Sequence, residues 1–208
     1  MYPKQYKLKS VWDQIDMIQE IMPIDFDEGE VEKILSQPLP ERAEGLFVIP
    51  RQSGSYINEV ENSLSVISEA RKFYSHCQFR KKDIKRQERT RQAMSFIERS
   101  QKSMGDIVII PAQFGLYYKG LSIKETERKM SPREFGLGAH EVSWMLFTHY
   151  GREYKESGIH PLCPGDVAKV NKSFSFSPYF EHGGKVLEFG VLDCNQSLQD
   201  FGAVSAFF

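Results

Sequence analysis

The sequence has no long apolar run, no cysteine framework and no large excess of one charge. No stretch approaches the roughly 18 consecutive apolar residues of a membrane span. The opening MYPKQYKLKSVWDQIDMIQEIM has early lysines but neither the apolar core nor the small-residue cleavage site of a secretory leader, so neither span nor leader is expected. Three cysteines, Cys77, Cys163 and Cys194, make an odd number without framework spacing. Free thiols in a reducing compartment, by default the cytoplasm, follow as the expectation. Local signatures of chemistry are also missing. There is no CxxC pair, no HExxH, no three-glycine dinucleotide turn, no Gly-Lys-Ser/Thr phosphate loop and no GxSxG elbow, so no cofactor and no metal is implied. Internal repeats, heptads and low-complexity tracts are absent as well.

What is present is ordinary globular composition. A chain of 208 residues, 40% hydrophobic and 26% charged, can bury a substantial core. A single domain over residues 1–208 is expected, and a change of character near residue 105 allows two closely packed lobes.

The net charge of -1 hides an asymmetry. Residues 1–70 hold 6 Lys and Arg against 13 Asp and Glu; residues 71–104 hold 11 against 3; residues 105–208 hold 10 against 12. The basic segment centres on RKKDIKRQERTRQ, residues 80–92, with seven basic and two acidic side chains. Two readings compete. The run is a footprint for phosphates, or the acidic first third folds against it and neutralises it.

Periodicity predicts a mixed α+β fold: a helix-rich N-terminal half and a small sheet with a C-terminal antiparallel β-hairpin. Ser10 caps a helix whose Val11, Ile15, Ile18 and Met22 recur at helical spacing. A short helix follows near residues 30–36, then LFVIP as a strand. A long helix marked by Ile57, Val60, Leu64 and Ile67 is expected to run on into the basic stretch, which has Ile84 as its one apolar residue and should be helical and exposed. DIVIIP has the pattern of a buried strand ending at Pro111, and a short polar helix follows near residues 124–130. HEVSWMLFTHY, apolar almost all round, has the pattern of a buried helix. In SFSFSPYFEHGGKVLEFGVL the Gly183–Gly184 pair predicts a tight primed turn with His182 opposite Lys185. Phe174, Phe176, Phe180, Leu187, Phe189 and Val191 then share a buried face, and Ser173, Ser175, Ser177, Tyr179, Glu181 and Glu188 a wet one. The aromatic rings of the closing FGAVSAFF are expected to pack on the chain's own core or on a partner subunit.

For function, the leading expectation is an intracellular binding or accessory protein that meets nucleic-acid phosphates through Lys81, Lys82, Lys85, Arg86, Arg89 and Arg91. Positions 82, 85, 86 and 89 fall on one helical face. Lys119, Lys124, Arg128 and Lys129, near the rings of Tyr117 and Tyr118, form a candidate second patch. One alternative is an interaction or inhibitory module without catalysis, with a protein partner or a second copy of the chain. The other is a metal-assisted hydrolase built over residues 140–166, where His140, His149, His160, Cys163 and Asp166 gather in sequence without diagnostic spacing. Of these, His149 shares a helical face with Val142, Met145 and Leu146 and is expected to be a hydrogen-bonded core histidine. His160 and Cys163 have the spacing of half a zinc site with no second half, and Asp166 after Pro-Gly has the place of a turn residue.

Overall fold

A computed structural model describes residues 7–70, 72–75, 83–149, 159–183 and 186–208. Ser10 opens α1 (Val11–Gln19) with a reciprocal cap: its hydroxyl accepts from the Asp13 N–H at 3.1 Å and its own N–H reaches the Asp13 carboxylate at 3.2 Å. Val11, Ile15 and Ile18 go to the core as their spacing requires. Asp27 caps α2 (Glu28–Leu35), and β1 (Gly45–Pro50) carries the LFVIP run. The buried Gln14 lies along β1. Its amide donates to the Leu46 carbonyl at 2.9 Å and accepts from the Val48 N–H at 3.0 Å, filling the open edge of the strand as a neighbouring backbone would.

The long helix α3 (Tyr56–Ala70) gives way to a short strand, β2 (Phe73–Ser75). The basic stretch is not one helix: Ile84–Arg86 form β3, and α4 (Glu88–Ser100) begins only after Gln87. Two-fold alternation decides this. Ile84 and Arg86 point inward, Lys85 points out, and β3 pairs antiparallel with β7 (Asp166–Val170). The stretch is also only partly exposed, since Ile84 and Thr90 are buried.

Strand β4 (Ile107–Gln113) runs through Pro111 to Gln113, two residues beyond the expected end. On its second edge the pairing with β11 (Ser205–Phe207) starts at Ala112, so the missing Pro111 N–H breaks nothing there. Then come α5 (Ile123–Lys129), β5 (Glu134–Gly136) and α6 (Ala139–Thr148), the last buried on nearly every side and packed on α3 and β1. β6 (His160–Leu162), β8 (Ser173–Gly183), β9 (Val186–Asp193) and β10 (Phe201–Ala203) complete the described strands and α-helices.

The architecture is α+β with two sheets. One has the order β1-β4-β11-β5; the other has β10-β6-β8-β7-β3, with β9 also on β8 and β2 on β9. The C-terminal FGAVSAFF joins them, because β10 belongs to the second sheet and β11, one residue later, to the first. Phe201 and Phe207 are buried, and the half-exposed Phe208 ring lies 6.1 Å from Phe96 and 5.8 Å from Phe135. The aromatic terminus therefore packs within the chain.

The β8–β9 hairpin forms, with a shifted register. Gly183 pairs with Val186 and His182 with Leu187, so Gly183 is a strand residue and the connecting residues are 184 and 185, outside the described set. Parity survives, so Phe180, Leu187 and Phe189 remain buried on one face. The other face is not wet throughout. Tyr179 and Leu192 pack there with Tyr118, Ile123, Leu162 and Phe201 in a second apolar cluster.

Candidate nucleic-acid interface

Strand β3 presents different chemistry on its two faces. Outward, Lys85 stands opposite Val167 and shares its face with Lys169, two residues along β7. Asn171 and Lys172 connect β7 to β8 with φ of 48° and 70°, the left-handed pair that a type I′ turn needs. Just past this turn the register slips between Ala168 and Val170. Phe176 still faces the core opposite Ala168, but Phe174 is turned to the outer face and is 38% exposed. The Lys85 ammonium lies 4.5 Å from the Phe174 ring centroid and that of Lys169 5.7 Å from it. Among the described residues no carboxylate pairs with Lys85, Lys169 or Lys172.

Inward, Arg86 enters a closed polar network. Its guanidinium pairs with the buried Glu141 and lies over the Tyr56 ring, 3.9 Å from the centroid. With the Gln52 amide set by its surroundings, the amide oxygen accepts from both terminal nitrogens of Arg86 at 2.8 and 2.9 Å. Asp166, opposite Arg86 in the ladder, accepts the Tyr56 hydroxyl at 2.6 and 2.8 Å and the Ala139 N–H at 2.7 Å. The α6 start thus supplies both a backbone donor for Asp166 and, through the Gly138 N–H at 3.1 Å, one for Glu141. Gly138 is required here. A Cβ on it would stand 2.3 Å from the Tyr56 oxygen and 2.7 Å from an Asp166 oxygen.

The network holds two carboxylates and one cation. Burial works against the Arg86 charge, yet Glu141, Tyr56 and Asp166 around it more than compensate and hold it protonated. Burial would likewise raise Glu141, and Arg86 pulls it back below its ordinary value. Asp166 is left short of charge. Burial raises it to about 7, against the pull of Arg86, the Tyr56 hydroxyl and the Ala139 N–H. The Tyr56 phenol is pushed well up, by burial first and the Asp166 charge second.

The six residues expected at a phosphate interface therefore separate. Lys81 and Lys82 lie outside the described residues. Lys85 is on the surface. Arg86 is spent inside, with its side chain only 8% exposed. Arg89 donates to the backbone carbonyls of Ser131, at 2.6 Å, and Glu134. Arg91 pairs with Glu88 one turn back on the exposed face of α4. The shared helical face proposed for 82, 85, 86 and 89 does not exist, because 84–86 is strand. In the candidate second patch Lys119 pairs with Asp200 at 3.4 Å, Tyr118 is buried with its hydroxyl 2.8 Å from Glu134, and Arg42 lies over Tyr117.

Nothing in the sequence marks Lys169, Lys172 and Phe174 as a group. VAKVNKSFSFS, two alternating runs around Asn-Lys, is the signal for the turn; the bulge that turns Phe174 outward has none.

Of the hydrolase candidates, His140, His149 and His160 lie at three separate places, and Asp166 belongs to the Arg86 network. His140 is buried between the carbonyls of Glu59 at 3.2 Å and Pro50 at 3.4 Å, and burial lowers its pKa. His149, also buried, accepts the Lys9 N–H at 3.2 Å and lies against Phe47. His160, on β6 between β10 and β8 of the second sheet, accepts the His182 N–H at 3.3 Å. Cys163 is wholly buried, which pushes its thiol well up and away from a thiolate nucleophile. Asp166 closes the Cys163–Asp166 turn, its N–H donating to the Cys163 carbonyl at 3.1 Å, and is also the first residue of β7. Among the described residues no three His, Cys, Asp or Glu are grouped to hold a metal, and no helix is long and apolar enough to cross a membrane.

No family model, curated protein or solved structure matches this chain. A further surface feature is an apolar groove of about 400 Å³ between α4 and the 37–40 link, where Leu39, Phe96 and Phe208 are each about half exposed.

Proposed function

We propose that this protein is a binding or accessory protein that takes up nucleic-acid phosphates on the outer face of β3, β7 and β8, through Lys85, Lys169 and Lys172. One observation carries the reading: two ammonium groups from neighbouring strands lie over the same ring with no carboxylate partner among the described residues. Like charges held side by side repel unless an anion comes between them. A phosphate does this with charge-assisted hydrogen bonds, and lysine is suited to it as a compact point charge. A third lysine, Lys172, stands in the turn that joins β7 to β8.

Arg86 serves this surface from behind. It anchors the three-residue strand that carries Lys85, fixing Lys85 at its place beside Lys169. Arg89 has the same role in the first turn of α4, through its bonds to the Ser131 and Glu134 carbonyls. A reducing cytoplasm fits the free thiols Cys163 and Cys194.

The test is binding to a short single-stranded oligonucleotide across a salt series. Binding should weaken steeply with salt, by about 0.7 in the logarithmic slope for each phosphate engaged. The absence of binding at low salt would sink the reading.

A further inference from the structure

We propose that the nucleic acid bound here is single-stranded, with one unpaired base stacked on Phe174 and its flanking phosphates on Lys85 and Lys169. This rests on the phosphate-binding reading above and adds the class of ligand. The starting point is the bulge. Strict alternation along β8 would send Phe174 into the core with Phe176 and Phe180; the slip between Ala168 and Val170 sends it out instead, to 38% exposure. A bulge that re-aims one side chain leaves a large ring beside Lys85 and Lys169 on the outer face. Lysines alone would suffice for a duplex, which keeps its bases stacked inside and offers phosphates outside. An exposed ring among them adds contact only for a base that is free to leave its own stack.

Both ammonium groups are within reach of the ring, so a base must compete with them for it. It wins on magnitude, since an exposed cation–π contact is weaker than base–aromatic stacking. Each lysine that swings off the ring gains a phosphate in return. Phe174 would read no particular base, because every base has a face to stack, so sequence preference should be weak and RNA and DNA should both bind.

The experiment measures fluorescence anisotropy at low salt with four probes of equal length: a mixed-sequence single strand, the same strand with abasic positions, its duplex, and inorganic polyphosphate. The single strand should bind about tenfold more tightly than the abasic strand, the duplex and polyphosphate. Phe174→Ala should lose about that tenfold on the single strand and nothing on the abasic strand, while Phe174→Tyr keeps it. Equal affinity for all four probes, unchanged in Phe174→Ala, would overturn the stacking and leave the phosphate site standing. A lack of binding to any of the four would overturn both.

Discussion

Arg86 and Asp166 stand opposite each other in the β3–β7 ladder, with Asp166 under the Tyr56 hydroxyl and Arg86 turned to Glu141. The single cation satisfies the carboxylate it touches, and burial raises the other, Asp166, to about 7, so that it takes up a proton as pH falls below that value. That division sets the pH behaviour of the fold.

Asp166 is raised from an ordinary 3.8 to about 7, so the folded state binds a proton that the unfolded chain releases. Its contribution to stability is fully present below about pH 3.8 and is lost as pH rises through 7, by up to about 4 kcal/mol for a shift of roughly three units. The buried His140, with its pKa lowered, works in the opposite direction as pH rises through 6.5. Urea unfolding of the parent and of Asp166→Asn, compared between pH 5 and 8, isolates the carboxylate. The gap should shift in favour of the variant as pH rises; a gap independent of pH would show that Asp166 stays ionised throughout.

Removing Arg86 leaves Glu141 buried and unpaired. Arg86→Gln should cost about 3–5 kcal/mol, and adding Glu141→Gln should restore part of it, because the uncompensated charge is then gone. Chemical denaturation of the two variants measures this. A double variant less stable than the single one by the full cost of a second lesion would mean that the two residues act independently.

Gly138→Ala should destabilise by about 1–3 kcal/mol, since the new methyl falls on the Tyr56 hydroxyl and the Asp166 carboxylate. Gly54→Ala, where the nearest atom is a Glu59 oxygen at 3.4 Å, is the control and should change little. Thermal unfolding of both variants separates a specific clash from a general intolerance of substitution.

At the β7–β8 turn Asn171→Val should cost about 1–3 kcal/mol, because a β-branched residue is forced to φ near 48°. Asn171→Gly should be tolerated. Equal stability of the Val variant would show a turn of another type.

Where many residues repeated one pattern, the fold was legible. Ser10 with Val11, Ile15 and Ile18, the LFVIP and DIVIIP strands and the all-apolar α6 each repeat their signal over a turn or more. β3 has three residues, too few to show a period beside the helix-forming residues around it, and Ile84-Lys85-Arg86 was absorbed into a helix. Yet alternation was there: Ile84 and Arg86 go in, Lys85 goes out. The hairpin register moved because two adjacent glycines mark a turn without saying which residues close it. Of the candidate site, Lys85 was legible from charge alone. Phe174 was not, because a bulge inverts the face that its position predicts, and nothing in the residue types marks the slip.

The most direct test of the phosphate site is the salt dependence of single-strand binding for the parent and for Lys85→Gln with Lys169→Gln. Both side chains are on the outer face, away from the buried network, so the double variant should unfold at the parent's urea concentration. Its slope of log affinity against log salt should be shallower by about 1.4, two phosphates at about 0.7 each. A double variant that binds with the parent's affinity and the parent's slope would contradict the account.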